Sequence, residues 1–115
     1  YPYIALGSIY MKQGKFPQAI KEFENALSLN PQSLDALMWL GEIKLGQNDY
    51  NMAREYYQRV LRHDKSKAVA HRQLGHIYRL IGQGKLALEA YQVYLDLMPN
   101  ASDRREIEAK MKSLR

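Results

Sequence analysis

The sequence contains no cysteine, which excludes disulfides and thiolate metal sites. No run approaches the roughly 18 apolar residues that a membrane-spanning helix needs. No block of basic residues stands out either, although the formal charge is +5. The excess is spread thinly, as +1 over each of 1–33, 34–67 and 68–101 and +2 over 102–115. Nucleic-acid binders gather their basic residues into a patch or stripe, so this distribution argues against direct nucleic-acid binding.

The equipment of an enzyme is missing as well. There is no Gly-x-Ser-x-Gly elbow, and Gly82-Gln83-Gly84 lacks the Lys-Ser/Thr of a phosphate loop. His71 and His76 are five apart, which separates them on a helix instead of pairing them as i, i+4 metal ligands. His71 takes the register of Tyr3 and is expected to pack inside a hairpin. No catalytic function, cofactor or metal is expected. The opening YPYIALGSIY has neither an initiating Met nor the basic n-region of a secretory leader. We expect a fragment of a longer protein, with its compartment open. Asn100-Ala101-Ser102 fits the glycosylation triplet but reads more simply as a helix cap.

What the chain does have is apolar content, 46% of its 115 residues, enough to build a core. It also has a period. Leu6-Gly7, Leu40-Gly41 and Leu74-Gly75 recur in steps of 34 residues. The same step links Ala19, Ala53 and Ala87; Phe23, Tyr57 and Tyr91; and Ile9, Ile43 and Ile77. A fixed period of this size signals a stack of repeated supersecondary units.

Inside one unit the pattern predicts two helices. Over about 2–13, the residues Tyr3, Leu6, Gly7 and Tyr10 share one helical face. Over about 17–29, Ala19, Ile20, Phe23, Ala26 and Leu27 do the same. Gln13-Gly14-Lys15 supplies a helix-ending glycine, Pro17 suits a first helical turn, and Asn30-Pro31 ends the second helix. Connections this short force antiparallel neighbours. The small residues Gly7, Gly41 and Gly75 are expected to face Ala19, Ala53 and Ala87 across each hairpin, with the aromatic filling the space beyond.

The pattern Tyr3-x-x-Leu6-Gly7-x-x-Tyr10, Ala19-x-x-x-Phe23, Ala26 and Pro31 resembles the tetratricopeptide repeat. The resemblance covers 1–101 and implies an all-α, right-handed α-solenoid of three helix-turn-helix repeats, at 1–33, 34–67 and 68–101, in one domain. The second repeat departs from the pattern at Lys44, Val60 and Lys65. In the third, Gly84 stands where Phe16 and Tyr50 stand earlier, so its hairpin turn is the weakest match. Residues 102–115 leave the pattern, but Ile107, Met111 and Leu114 form an apolar stripe. We read them as a C-terminal capping helix, with Ser102 or Asn100 as N-cap.

The resemblance further implies that the far sides of the three first helices line a concave peptide-binding groove. By helical angle those sides carry Tyr1, Ile4, Ala5, Ser8, Met11 and Lys12; then Asp35, Met38, Trp39, Glu42, Leu45 and Gly46; then Val69, Arg72, Gln73, His76, Arg79 and Leu80. The expected site comprises Ile4, Ser8, Met11, Met38, Trp39, Glu42, Leu45, Arg72, Gln73, His76 and Arg79. It has an apolar end at Trp39 and a basic end at Arg72 and Arg79. Such a groove suits a protein or peptide partner with apolar anchors and an acidic group. The clamp by which some members of the family hold acidic chaperone C-termini is absent, because its positions carry Ile4, Ser8, Trp39, Val69 and Gln73. Two other readings stay open: self-association through a repeat end bearing Tyr1, Tyr3 and Ile4, and an RNA-reading helical repeat, which the 34-residue step argues against.

Overall fold

The computed structural model describes residues 2–115; Tyr1 lies outside the described residues. The described residues form helices α1 (Tyr3–Lys12), α2 (Phe16–Leu29), α3 (Leu34–Gly46), α4 (Tyr50–His63), α5 (Ala68–Leu80), α6 (Gly84–Leu97) and α7 (Arg104–Ser113). No strand occurs among them. The helices α1/α2, α3/α4 and α5/α6 pair as hairpins, α2 packs on α3, α4 on α5, and α7 closes the far end on α6. The result is an all-α helical-repeat solenoid 44 × 24 × 23 Å in extent.

All three hairpin turns are built alike. Gly14, Asn48 and Gly82 sit at φ of 73°, 61° and 82°, one per repeat at the same register. The left-handed residue turns the chain so that the next amide donates back to the first helix: Lys15 N to Tyr10 O (2.9 Å), Asp49 N to Lys44 O (2.9 Å) and Gln83 N to Tyr78 O (2.8 Å). Asparagine serves at position 48 because it tolerates this conformation better than other residues with a side chain. The third turn is as tight as the others. Gly84 does not loosen it; instead it leaves room for Leu114, whose Cδ2 would lie 3.6 Å from an added Cβ.

The helix starts are capped by different means. Ser33 and Asp49 accept from Ala36 N and Met52 N at 3.3 Å, whereas α2 relies on Pro17 in its first turn. Between repeats two and three Lys65 replaces the proline, but the loop keeps the side-chain turn that Asn30 makes before Pro31 by accepting from Gln32 N at 3.1 Å. Asp64 Oδ1 accepts from Ser66 N (3.0 Å) and Ser66 Oγ (2.5 Å), which holds its carboxyl below the usual carboxylate range.

Two sequence expectations need correction here. The atoms nearest the repeated glycines belong to the aromatic rings, which lie directly over them and not in the space beyond. A Cβ on Gly7 would lie 2.5 Å from Phe23, on Gly41 2.8 Å from Tyr57 and on Gly75 2.5 Å from Tyr91. Each aromatic lies across the glycine sixteen residues before it and is fully buried. His71 is not inside its hairpin. It is half-buried, and its Nε2 donates to Lys65 O at 2.9 Å, tying α5 to the loop before it.

The register also separates the ends from the middle. Ile43 and Ile77 are 4% and 0% exposed, each covered by the preceding repeat, whereas Ile9 is 48% exposed. At the other end α7 buries Ile107 and Met111 against Ala87, Tyr91, Tyr94 and Leu95. The cap of α7 is neither Ser102 nor Asn100. It is Asp103, whose side chain makes no capping bond because Tyr94 and Arg72 take its oxygens.

Candidate functional site

The residues expected at the site lie on α1, α3 and α5, beside the buried aromatics of α2, α4 and α6. Tyr57 and Tyr91 each have a hydrogen-bond partner on their own repeat, and all three buried aromatics have a neighbour from the next element of the stack. Phe23 is covered by Trp39, stacked at 5.6 Å and 7°. Tyr57 donates its hydroxyl proton to Glu42 Oε1 (2.7 Å), and Gln73 Nε2 of the next repeat donates to the same oxygen (2.8 Å). Burial, then the bond to Glu42, holds the Tyr57 phenol well above its usual range, so it remains a donor. Tyr91 is bonded to His76 (2.7 Å) and covered by Ile107 of α7. Where the ring is Phe23 and has no hydroxyl to serve, Ser8 turns its own hydroxyl to Ala5 O (2.9 Å).

Two adjoining clefts open at the α1/α3 end. One, of about 320 Å³, is bordered by Met11, Phe16, Trp39, Glu42, Ile43 and Gln47. The other, of about 310 Å³, is bordered by Asp35, Met38, Trp39 and Glu42. Trp39 is half-buried; one side lies on Phe23 and the rest borders both clefts. Thus Met11, Met38, Trp39 and Glu42 of the expected set are brought together. Ile4 packs on the cluster beneath Trp39.

Other expected residues are committed elsewhere. Leu45 packs against the core between repeats two and three. Gln73 is buried and bonded to Glu42, and Ser8 to its own helix. Arg72 is not a free charge. It pairs with Asp103, the residue before α7, at 3.3 Å and lies 5.6 Å from the Tyr94 ring centre. The tyrosine hydroxyl bond and then the arginine pull the Asp103 carboxyl below its usual range, against the opposing effect of burial, which is the largest single influence. The basic end therefore reduces to Arg79, whose Nε donates to Tyr91 O at 3.3 Å.

Phe16 was missed because only first helices were assigned to the groove, yet it begins α2 and borders the larger cleft at 45% exposure. The shared register of Phe16 and Tyr50 was the available signal.

His76 is the one histidine of the groove floor with a marked shift. Burial, then the nearby charges of Lys110, Arg79 and Arg72, lower its pKa from 6.5 to about 4. The hydrogen bonds agree. Arg79 donates to the Tyr91 oxygen, and His76 Nδ1 shares a hydrogen bond with the same hydroxyl, an arrangement a neutral imidazole can accept. Between pH 6.5 and about 4 the unfolded chain binds a proton that the folded chain refuses. Stability therefore falls as pH drops through that window. Urea titrations at pH 7 and pH 5 are expected to show this loss in the wild type and a smaller one in His76→Gln.

No group of three or more His, Asp or Glu side chains able to hold a metal occurs among the described residues, and no described helix is long and apolar enough to cross a membrane.

A stack of helical hairpins defines the class, and known proteins give the family. Tetratricopeptide repeat profiles match residues 10–66 and 43–102, and the chain belongs to the tetratricopeptide repeat family. It is 32% identical over 101 residues (88% of the chain, 7% of the relative) to the general transcriptional corepressor trfA of Dictyostelium discoideum. It is 34% identical over 86 residues (75% of the chain, 8% of the relative) to the general transcriptional corepressor ssn6 of Schizosaccharomyces pombe. The chain thus spans less than a tenth of the length of these curated relatives. Among solved structures it is similar to the first repeat domain of Spaghetti (RPAP3) bound to an HSP90 peptide, with TM-score 0.88, 18% identity, and 97% of this chain and 90% of that one covered. It is also similar to the Yersinia enterocolitica secretion chaperone SycD in complex with a peptide of YopD, with TM-score 0.87, 16% identity, and 97% and 88% covered. At these identities the likeness is one of fold.

Proposed function

We propose that this chain is a protein-interaction scaffold whose concave groove holds a peptide or helix of a partner protein. The observation that carries the reading is the pair of clefts meeting at Trp39, on a face where a purely structural repeat would place solvated polar residues. Trp is the residue type most often found as an energetic anchor, and Met11 and Met38 beside it provide adaptable apolar surface. An apolar side chain of the partner would seat at Trp39, and an acidic group would meet Arg79 further along. Two of the similar structures hold peptides, which supports the reading by analogy of fold. Two relatives are named general transcriptional corepressors, so we place the segment as a contact-making part of a repression complex.

The test is Trp39→Ala in a quantitative pull-down against the proteins retained by wild type. Retention of groove partners is expected to weaken by about 2 kcal/mol or more. Unchanged retention by a variant with the wild-type helical spectrum would remove Trp39 from the site.

A second reading, self-association, is favoured by the exposure of Ile9 at 48% and Phe16 at 45% on the first repeat. Sedimentation velocity at two concentrations is expected to show a concentration-dependent increase in mass if these ends pair, and Ile9→Lys to abolish it. A constant monomer mass would rule the reading out.

A further inference from the structure

We infer that the Trp39 cleft recognises a basic side chain, so that the partner segment carries a lysine or arginine next to its apolar anchor. This rests on the groove being a ligand site, as proposed above. The chain as a whole is basic, with net charge +5, yet both charged residues bordering the two clefts are acidic. Asp35 and Glu42 lie four residues before and three residues after Trp39 on α3, which puts all three on one helical face.

Neither carboxylate is neutralised. Asp35 forms no ion pair among the described residues, and Glu42 is exposed. Both bonds to Glu42 fall on Oε1, from the neutral donors Tyr57 and Gln73. They orient the carboxylate without cancelling its charge, and Oε2 takes no part in them. The contrast with the other end is informative. There Arg72 is matched by Asp103 within the fold, whereas Asp35 and Glu42 form no ion pair among the described residues.

An indole flanked by two carboxylates is a favourable seat for a cation. The ring face attracts it, the carboxylates accept its N–H groups, and the methylene stem covers Trp39 and Met38. Arg79 lies at the opposite end of the groove. A segment with a basic residue at one end and an acidic one at the other would therefore bind in a single direction.

The experiment is selection of a random twelve-residue display library on the immobilised chain, repeated on Trp39→Ala and on Asp35→Asn/Glu42→Gln. The amides keep acceptors for Tyr57 and Gln73, and thermal melting checks that both variants fold. Wild type is expected to enrich peptides with a fixed lysine or arginine beside an apolar residue. A synthetic peptide of that sequence should lose affinity by at least about tenfold on the double variant, and lose it progressively with added salt. Peptides that depend on Trp39 but carry no basic residue would overturn this inference while leaving the groove intact. If no enriched peptide depends on Trp39, both readings fall.

Discussion

Replacing Gly75 with alanine is expected to lower stability by about 3 kcal/mol, at the upper end for overpacking a core. The added Cβ would lie 2.5 and 2.6 Å from Cδ1 and Cε1 of Tyr91 and 3.0 Å from Cγ. These atoms sit close to the base of the ring, so a small swing of the side chain does not clear them. The ring has nowhere to go. It is fully buried, its hydroxyl is held by His76 and Arg79, and Ile107 packs on it from α7. Relief requires the two helices of the third hairpin to separate, which weakens every contact along them. Thermal denaturation should show a fall in Tm of roughly 10 °C. Gly46→Ala makes the argument specific. A Cβ there meets nothing within 4 Å, and alanine is the better helix former, so that variant should gain up to about 1 kcal/mol. Equal effects at the two positions would show that backbone freedom, and not the ring, decides the outcome.

The second large effect is expected at the closing helix. Ile107 is 1% exposed and packs with Ala87, Tyr91, Tyr94, Leu95 and Met111. Truncating it to alanine should cost about 3 kcal/mol. A repeat stack is held by nearest-neighbour contacts, so the loss should be local. The helix α7 packs chiefly on α6, its neighbour in the stack. Native-state hydrogen exchange is expected to show protection lost in α7 and reduced in α6, with α1 and α2 little changed. Undocking α7 would also release Asp103 from Arg72, so the groove should gain positive charge at that end. Uniform loss of protection across all helices would mean that the three hairpins unfold as one unit, contrary to the nearest-neighbour picture.

The two results bear on the same design. Each aromatic of the floor depends on a glycine of its own repeat and on a cover from the next. The cover differs each time: Trp39 over Phe23, Gln73 over the Glu42–Tyr57 pair and Ile107 over Tyr91. One scaffold position therefore fixes the packing while the covering residue varies in chemistry. The floor is aromatic at one end and hydrogen-bonded in the middle, and α7 closes it at the other end.

Helix number, pairing, repeat length and the closing helix were all determined by the sequence alone. They follow from local spacing: a 34-residue step, faces at 3.6 residues per turn, and turn residues at Gly14 and Gly82. Local spacing acts before the chain is folded, so it can be read without coordinates. Even the departures at Lys65 and Gly84 changed no element: the side-chain turn at Asp64–Ser66 is the one that Asn30 makes in the preceding loop, and Leu114 lies beside Gly84. The use of each inner-face side chain was decided only by tertiary structure. Helical angle places Arg72, Gln73, Leu45 and Trp39 on equivalent faces, but their partners come from other helices. Asp103 lies 31 positions from Arg72 along the chain and Glu42 lies 31 from Gln73, contacts that no periodicity encodes. Charge in a groove is what remains after such pairs have formed. That remainder, negative at Trp39 and positive at Arg79, exists only once the hairpins have stacked.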